Sequence, residues 1–171
     1  ARRHLQFRHQ QAAIVAAPNP VEAAREAARP HVANNSGNNE WYTPPDLIEL
    51  ARRVMGGIDL DPASCEIANR TVKAEKIYTA ENSGLDLPWY AKSVWMNPPY
   101  SSEWIGKFAT KIVEEVKAGR VKQAITLTNN ATDTGWFAEM ANAATGMCTL
   151  RGRVRFMDPQ GNPSGAPLQG Q

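Results

Sequence analysis

Cysteine and long hydrophobic runs are scarce in this sequence. Cys65 and Cys148 are the only cysteines among 171 residues, too few for a disulfide framework, and they lack the spacing of metal ligands. No apolar run approaches the roughly 20 residues that a membrane-spanning helix requires. We therefore expect a soluble protein with two reduced, partly buried thiols and no need for a metal or a membrane.

A strong excess of one charge is also missing. The 19 Lys and Arg against 17 Asp and Glu give a net charge of +2, weaker than the basic excess usual in nucleic-acid-binding proteins. The N-terminal basic residues precede a short apolar stretch, but Gln, His and Arg interrupt it, so a secretory signal is not indicated. We expect a cytoplasmic protein.

Residues 1–39 differ in composition from the rest of the chain. They contain Ala-rich stretches, prolines that stop short helices, and the polar run NNSGNNE. This composition predicts a weakly ordered, flexible N-terminal arm and linker. The folded domain is predicted to cover residues 40–171.

Within residues 40–171, helical and strand patterns alternate. The predicted helices are TPPDLIELARRVMGG, CEIANRTV, SSEWIGKFATKIVEEVKAGR and TGWFAEMANAA, and the predicted strands lie in GIDLDPAS, AEKIYTA, KSVWMNPPY, QAITLTNN and GMCTLRGRVRFMDP. Such alternation predicts an α/β fold with a mixed, mostly parallel sheet and helices on both faces.

The third predicted helix has the clearest pattern. Ser101 or Ser102 is the predicted N-cap, and an apolar face is predicted from four residues at helical spacing, Trp104, Phe108, Ile112 and Val116. We also expect Trp95 and Trp104 to be packed in the core.

Alternating arginines mark the segment TLRGRVRFMDP. Arg151, Arg153 and Arg155 would project from one face if this segment were a strand. Such a face is either a solvated strand surface or a stripe that contacts phosphates.

Three short stretches fall where an α/β sheet places its functional loops. EWYTPPD precedes the first helix, LDPAS follows the first strand, and NPPY follows the strand KSVWM. Ligands of such sheets bind at the carboxyl ends of the strands. We expect these three stretches to lie close together.

The NPPY stretch has an unusual hydrogen-bonding character. Pro98 and Pro99 have no backbone N–H and hold their φ angles fixed, so the stretch is rich in rigid carbonyl acceptors beside the Asn97 amide. Two acceptors suit a substrate NH2 group, and Tyr100 adds a flat ring on which a planar group can stack. The alternative is a proline-stiffened strand exit with no ligand.

Taken in order along the chain, EWYTPPDLIELA, IDLDPAS, WMNPPYS and GNPSGAPLQGQ resemble the phage-type, Dam-like DNA N6-adenine methyltransferases. The resemblance covers about residues 40–171 and implies one Rossmann-like, S-adenosylmethionine-dependent methyltransferase domain. It leads us to expect one more strand after LQGQ. It also implies a phage or prophage protein in a host cell, with double-stranded DNA as its partner, and we expect a monomer.

The resemblance also assigns roles to residues. The catalytic motif corresponds to Asn97, Pro98, Pro99 and Tyr100. The implied cofactor-binding residues are Trp41, Thr43, Pro44, Asp61, Pro62, Ala63, Ser64, Glu81 and Asp86, of which Glu81 and Asp86 rest on position alone. Arg151, Arg153 and Arg155 become candidate DNA-binding residues. The sequence departs from many methyltransferases in having DPAS without a GxG pattern.

A mechanism follows from these roles. Hydrogen bonds from an adenine NH2 to the Asn97 oxygen and the Pro98 carbonyl would localise the nitrogen lone pair for attack on the sulfonium methyl group. The adenine would have to be flipped out of the duplex and stacked on Tyr100.

Two rival functions remain open at the level of sequence. NPPY also resembles the motif of methyltransferases that modify an RNA base or a protein glutamine amide. Alternatively, the chain is a non-catalytic nucleic-acid-binding module of the same fold.

Overall fold

The computed structural model describes residues 42–163 and 170–171 of the chain. The predicted arm at residues 1–39, and Trp41, lie outside them. The described elements are α1 (Pro45–Met55), β1 (Leu60–Asp61), α2 (Glu66–Val72), β2 (Lys76–Ile77), β3 (Ala91–Met96), α3 (Ile105–Lys117), β4 (Val121–Thr126) and α4 (Gly135–Ala143). Helix and strand alternate in the predicted order.

The four described strands form one parallel sheet in the order β2-β1-β3-β4. From β1 the chain first moves outward to β2, then crosses back to place β3 on the other side of β1. The gap between β1 and β3 is therefore a topological switch point, where parallel sheets bind ligands at the carboxyl ends of their strands. The predicted α/β class is confirmed.

Helices cover both faces of this sheet, as predicted. Along β3, Val94 and Met96 pack into one buried cluster with Phe108 and Ile112 of α3. Trp95 points the other way and packs with Ile48 of α1 in a second buried cluster. This alternation of side chains gives each face of a strand its own hydrophobic core.

Helix α1 begins and ends on local signals. Pro45 occupies the first turn, where no N–H is needed, and Asp46 lies at the positive end of the helix dipole. Gly56 ends the helix with φ +76°, and its N–H donates to the Arg52 carbonyl at 2.8 Å. The chain can then turn directly into β1.

Two expectations for α3 are wrong. The helix begins at Ile105 rather than after a serine cap, because the Ser101 carbonyl accepts from the N–H groups of both Trp104 and Ile105 and forms a turn first. Trp104 lies on this turn, 36% exposed, with the Lys107 ammonium 4.5 Å from its ring centre. Val116 is also exposed, whereas Trp95 is buried as expected.

The segment at residues 148–158 is not a strand. Gly152 has φ +85°, which interrupts extended backbone, and Met157 makes only isolated bridges, to Tyr42 and Pro163. The predicted alternation of side chains nevertheless holds, since exposed Arg153 and Arg155 alternate with buried Val154 and Phe156.

The two cysteines differ in exposure. Cys65 is partly buried and its sulfur accepts from the Ala68 N–H at 3.5 Å, so it caps α2. Cys148 is exposed, contrary to the expected burial. In the part of the chain that is described, no helix is both long and apolar enough to cross a bilayer.

Candidate active site

The DPAS loop (residues 61–64) and the NPPY loop (residues 97–100) leave adjacent strands on either side of the switch point. Leu60 of β1 pairs with Val94 of β3. Asn97 therefore lies two residues further along the strand direction than the residue of β3 that faces Asp61. Strand rise and strand spacing then place their Cα atoms about 8 Å apart. The predicted convergence of these two loops is confirmed.

Asp61 is an ionisable group buried at the end of β1. Its side chain is 3% exposed and accepts from the Ala63 N–H at 3.2 Å. Burial raises the pKa of Asp61 to about 7, against the lowering effects of the Ala63 amide and the nearby Ser64 hydroxyl. The carboxylate is thus poorly stabilised by the protein alone and would be stabilised by a cationic ligand.

Ser64 extends the polar character of this loop. Its N–H donates to the Tyr78 carbonyl at 2.9 Å, which ties the loop to the end of β2. Among the described residues, two buried side-chain oxygens have no hydrogen-bond partner of acceptable geometry, Ser64 Oγ and Ser101 Oγ. Buried hydroxyls are seldom left without partners. Ser64 belongs to the DPAS loop and Ser101 directly follows the NPPY loop, so a polar ligand between these loops fits the residues present.

Gly84 packs directly on the DPAS loop, which the sequence did not indicate. Its carbonyl accepts from the indole N–H of the fully buried Trp89 at 2.7 Å, which fixes the glycine in place. A Cβ at residue 84 would lie 3.0 Å from the Pro62 carbonyl carbon and would collide with the Pro62 oxygen. The shape of the DPAS loop therefore depends on a residue without a side chain at position 84.

We expect Gly84→Ala to destabilise the protein by about 1–3 kcal/mol, because either Pro62 or the Trp89 anchor must move. Chemical denaturation measures this change. Gly146→Ala is the matched control, since a Cβ at residue 146 would have no atom within 4 Å. Equal stability of the two variants would show that Gly84 does not support the DPAS loop.

The TPP segment (residues 43–45) lies beside the DPAS loop. Tyr42 pairs with Met157 through N–H donations in both directions, at 3.2 and 2.8 Å, and the Cys65 thiol donates to the Tyr42 hydroxyl at 3.8 Å. Thr43 is buried and Pro44 is half-buried. Two of the three predicted loops thus meet through the neighbours of Thr43 and Ser64.

The NPPY loop places its amide and its aromatic ring in contact. The Tyr100 hydroxyl donates to Asn97 Oδ1 at 2.7 Å and also lies 3.3 Å from the Leu127 carbonyl, just beyond β4. The Tyr100 ring meets the Phe156 ring edge-on, with centroids 6.1 Å apart. Burial raises the pKa of Tyr100 well above its usual range, so the hydroxyl keeps its proton and acts as a donor.

Glu81 and Asp86 lie in the segment that connects β2 to β3. Both are exposed. The Thr79 hydroxyl donates to Glu81 at 2.6 Å and lowers the pKa of Glu81, so this carboxylate is ionised. Their predicted contact with the cofactor remains a prediction.

The arginine segment (residues 151–157) forms one wall of an open groove of about 470 Å³. The residues that line the groove include Arg151, Arg153 and Arg155 together with Pro44, Asp46 and Leu47. Two hydrogen bonds anchor the segment. The Val154 N–H donates to the Gln171 side chain at 3.3 Å, and the Gln171 side chain donates to Asn129 at 3.1 Å. The exposed guanidinium groups therefore lie on an anchored backbone near Tyr100.

Within residues 42–163 and 170–171, no group of three or more His, Cys, Asp or Glu side chains is arranged to hold a metal ion. Sequence reasoning missed Leu127, Phe156 and Gly84 as supports of the site. The alternation in RVRF was the one sequence signal that indicated a buried Phe156.

Comparisons with known proteins identify a family whose match to this chain includes both loops. A family model described as DNA N-6-adenine-methyltransferase (Dam) matches residues 31–166, which include the DPAS and NPPY loops. A protein of Escherichia phage T1 named DNA N-6-adenine-methyltransferase is 34% identical over 100 residues, which are 58% of this chain and 39% of that protein. The match thus spans about two fifths of that relative. No solved structure matches the chain.

Proposed function

We propose that this chain, which belongs to the DNA N-6-adenine-methyltransferase (Dam) family, transfers a methyl group from S-adenosylmethionine to the exocyclic amino group of an adenine in double-stranded DNA. The observation that carries the proposal is the Asn97 side-chain oxygen, fixed by Tyr100 at the end of β3 and beside the switch point. A fixed acceptor at this place suits a substrate amino group.

Asp61 and Ser64 are the residues best suited to hold the cofactor. S-adenosylmethionine carries a sulfonium and an ammonium charge, and it would supply an electrophilic methyl group. A buried carboxylate whose pKa is raised to about 7, beside a hydroxyl without a well-formed hydrogen bond, suits such a cation. The other proposed cofactor-binding residues are Trp41, Thr43, Pro44, Pro62, Ala63, Glu81 and Asp86.

The proposed reaction depends on hydrogen-bond acceptors rather than on a general base. Asn97 Oδ1 and the Pro98 carbonyl accept the two N–H groups of the adenine, which localises the nitrogen lone pair toward the methyl carbon. A nitrogen–carbon bond forms as the carbon–sulfur bond breaks, and the surplus proton on nitrogen then leaves to water. The adenine reaches this position after flipping out of the duplex, against the ring of Tyr100.

The test is methylation of duplex DNA by the purified chain with isotope-labelled S-adenosylmethionine, followed by digestion to nucleosides and mass spectrometry. We expect the label in N6-methyladenine. Parallel reactions with RNA and with protein examine the other planar amino groups that an NPPY loop could accept. Label only in RNA or in glutamine would refute the assignment of DNA as substrate.

The arginine segment is proposed to contact the DNA backbone. Replacing Arg153 and Arg155 together by Gln should weaken DNA binding and lower the slope of log K against log salt by about 0.9 for each phosphate that the protein no longer neutralises. Fluorescence anisotropy at several salt concentrations measures both quantities. Arg53→Gln is the control, because this exposed arginine lies in the last turn of α1, at the opposite edge of the sheet. An unchanged slope would exclude these phosphate contacts.

Two broader expectations accompany this function. We propose that the parallel sheet belongs to a Rossmann-like methyltransferase fold, and that the protein acts in the cytoplasm of a cell that carries a phage or prophage. The phage origin of the named relative supports the second point.

A further inference from the structure

We propose that the Tyr100 hydroxyl is a positioning group, which turns the Asn97 amide so that its oxygen rather than its nitrogen faces the substrate amino group. This inference rests on the proposed function. It adds a role for the hydroxyl that is separate from stacking by the Tyr100 ring. The observation behind it is the donation from the hydroxyl to Asn97 Oδ1 at 2.7 Å.

An asparagine in this position needs such orientation. The oxygen and the NH2 group of an amide have nearly the same shape, but one accepts hydrogen bonds and the other donates them. With the amide reversed, Asn97 would present donors to a substrate that also brings donors, and attack on the methyl group would lose its acceptor. Because a carbonyl oxygen can accept two hydrogen bonds, donation by Tyr100 leaves Asn97 able to accept from an adenine as well.

Tyr100 is itself held by three parts of the chain. Its ring is part of the NPPY loop and packs edge-on against Phe156 of the arginine segment, while its hydroxyl reaches the Leu127 carbonyl beyond β4 at 3.3 Å. The hydroxyl keeps its proton because burial raises the pKa of Tyr100. It therefore presents a donor, and of the two acceptors in reach the Asn97 oxygen at 2.7 Å is nearer than the Leu127 carbonyl at 3.3 Å, so the hydrogen bond favours the amide orientation with its oxygen toward Tyr100.

Tyr100→Phe separates the two roles of this residue because it keeps the ring and removes the hydroxyl. We expect kcat to fall by about tenfold to a hundredfold, with the KM for DNA and the Kd for S-adenosylmethionine nearly unchanged. Tyr90→Phe is the matched control, since Tyr90 is 77% exposed and lies before β3, at the far edge of the sheet. Unchanged kcat in Tyr100→Phe would overturn the inference.

The background Asn97→Asp gives a sharper test, because a carboxylate has two equivalent acceptor oxygens and needs no orientation. Tyr100→Phe should therefore lower kcat much less in Asn97→Asp than in the wild type. An equal loss in both backgrounds would show that the hydroxyl acts by some route other than orienting the amide.

A third measurement needs no activity at all. In ¹⁵N-labelled protein, the heteronuclear Overhauser effect of the Asn97 side-chain nitrogen should drop in Tyr100→Phe, because the amide loses the hydrogen bond from the hydroxyl, and should stay unchanged in Tyr90→Phe. A rigid Asn97 amide in Tyr100→Phe would refute the positioning role. Loss of rigidity in a chain that methylates no substrate would instead leave the positioning role standing and refute the proposed function.

Discussion

Asn97→Ala should lower the rate of methyl transfer to DNA by about 100-fold to 1,000-fold, which is the usual cost of removing one preorganised hydrogen-bonding group from a reacting centre. The variant loses the proposed side-chain acceptor for the substrate amino group and keeps only the second proposed acceptor, the backbone carbonyl of Pro98. Affinity for S-adenosylmethionine should change by less than about threefold, a free-energy difference under 1 kcal/mol, because the proposed cofactor-binding residues Asp61 and Ser64 lie at the end of a different strand.

The folded structure should tolerate this change. Asn97 lies in a loop and is only half-buried, and the Tyr100 hydroxyl retains the Leu127 carbonyl as an acceptor at 3.3 Å. Single-turnover methylation measures the rate, and isothermal titration measures cofactor affinity on the same sample. Asn82→Ala, at an exposed position in the loop after β2, is the matched control. A rate for Asn97→Ala near that of Asn82→Ala would remove the acceptor mechanism.

Local signals in the sequence were sufficient for most of the fold. Pro45, Asp46 and Gly56 mark both ends of α1, and each acts within one helical turn. The apolar run that ends at Met96 predicts β3, and alternation of strands with helices predicts a largely parallel sheet. These features depend on residues near one another in the chain, which is why the sequence alone can reveal them.

The errors arise where packing between distant segments decides the outcome. Hydrophobic spacing predicted a buried Trp104, but a turn at Ser101 delays the helix and leaves the indole beside Lys107. A strand was predicted through the arginines, but Gly152 adopts φ +85°. Regularly spaced apolar residues predict that a helix or strand has a buried face. They do not fix where that element begins or whether a neighbouring strand is present to pair with it.

The candidate site was predictable in part for the same reasons. The DPAS and NPPY loops follow strands that turn out to be neighbours, and general knowledge of parallel sheets was enough to expect them together. The contacts that shape these loops were not predictable. Gly84 packs against Pro62, a contact between the segments that follow two different strands. Tyr100 packs against Phe156, a contact between segments more than fifty positions apart in the chain.

Asp61→Asn should weaken binding of S-adenosylmethionine by about tenfold or more at pH 8, because it removes the buried negative charge that a cationic ligand would neutralise. For the wild type, cofactor affinity should rise between pH 6 and pH 8. The pKa of Asp61 without ligand is about 7, so at pH 6 the bound cation must first displace a proton. The Asn variant should lose this part of the pH dependence. Isothermal titration at pH 6, 7 and 8 measures all of these quantities.

The same substitution should have the opposite effect on the stability of the cofactor-free protein. In the unfolded chain the pKa of Asp61 returns to 3.8, against about 7 in the folded chain, so the folded protein binds the proton more tightly. The contribution of Asp61 to folding stability is therefore fully present below about pH 4 and is lost as the pH rises through 7. Asp61→Asn escapes that loss, so its melting temperature relative to the wild type should increase from pH 5 to pH 8.

Together, these two opposite effects would identify Asp61 as a residue kept for ligand binding at the expense of stability. Asp133→Asn removes an exposed carboxylate and is the control in both experiments. If Asp61→Asn bound the cofactor like Asp133→Asn and also melted lower than the wild type at pH 8, Asp61 would be a structural residue and the cofactor site would have to be sought elsewhere. Weaker cofactor binding together with higher stability at pH 8 would exclude a purely structural role for Asp61. Replacing a carboxylate with a purely structural role would lower the stability of the protein.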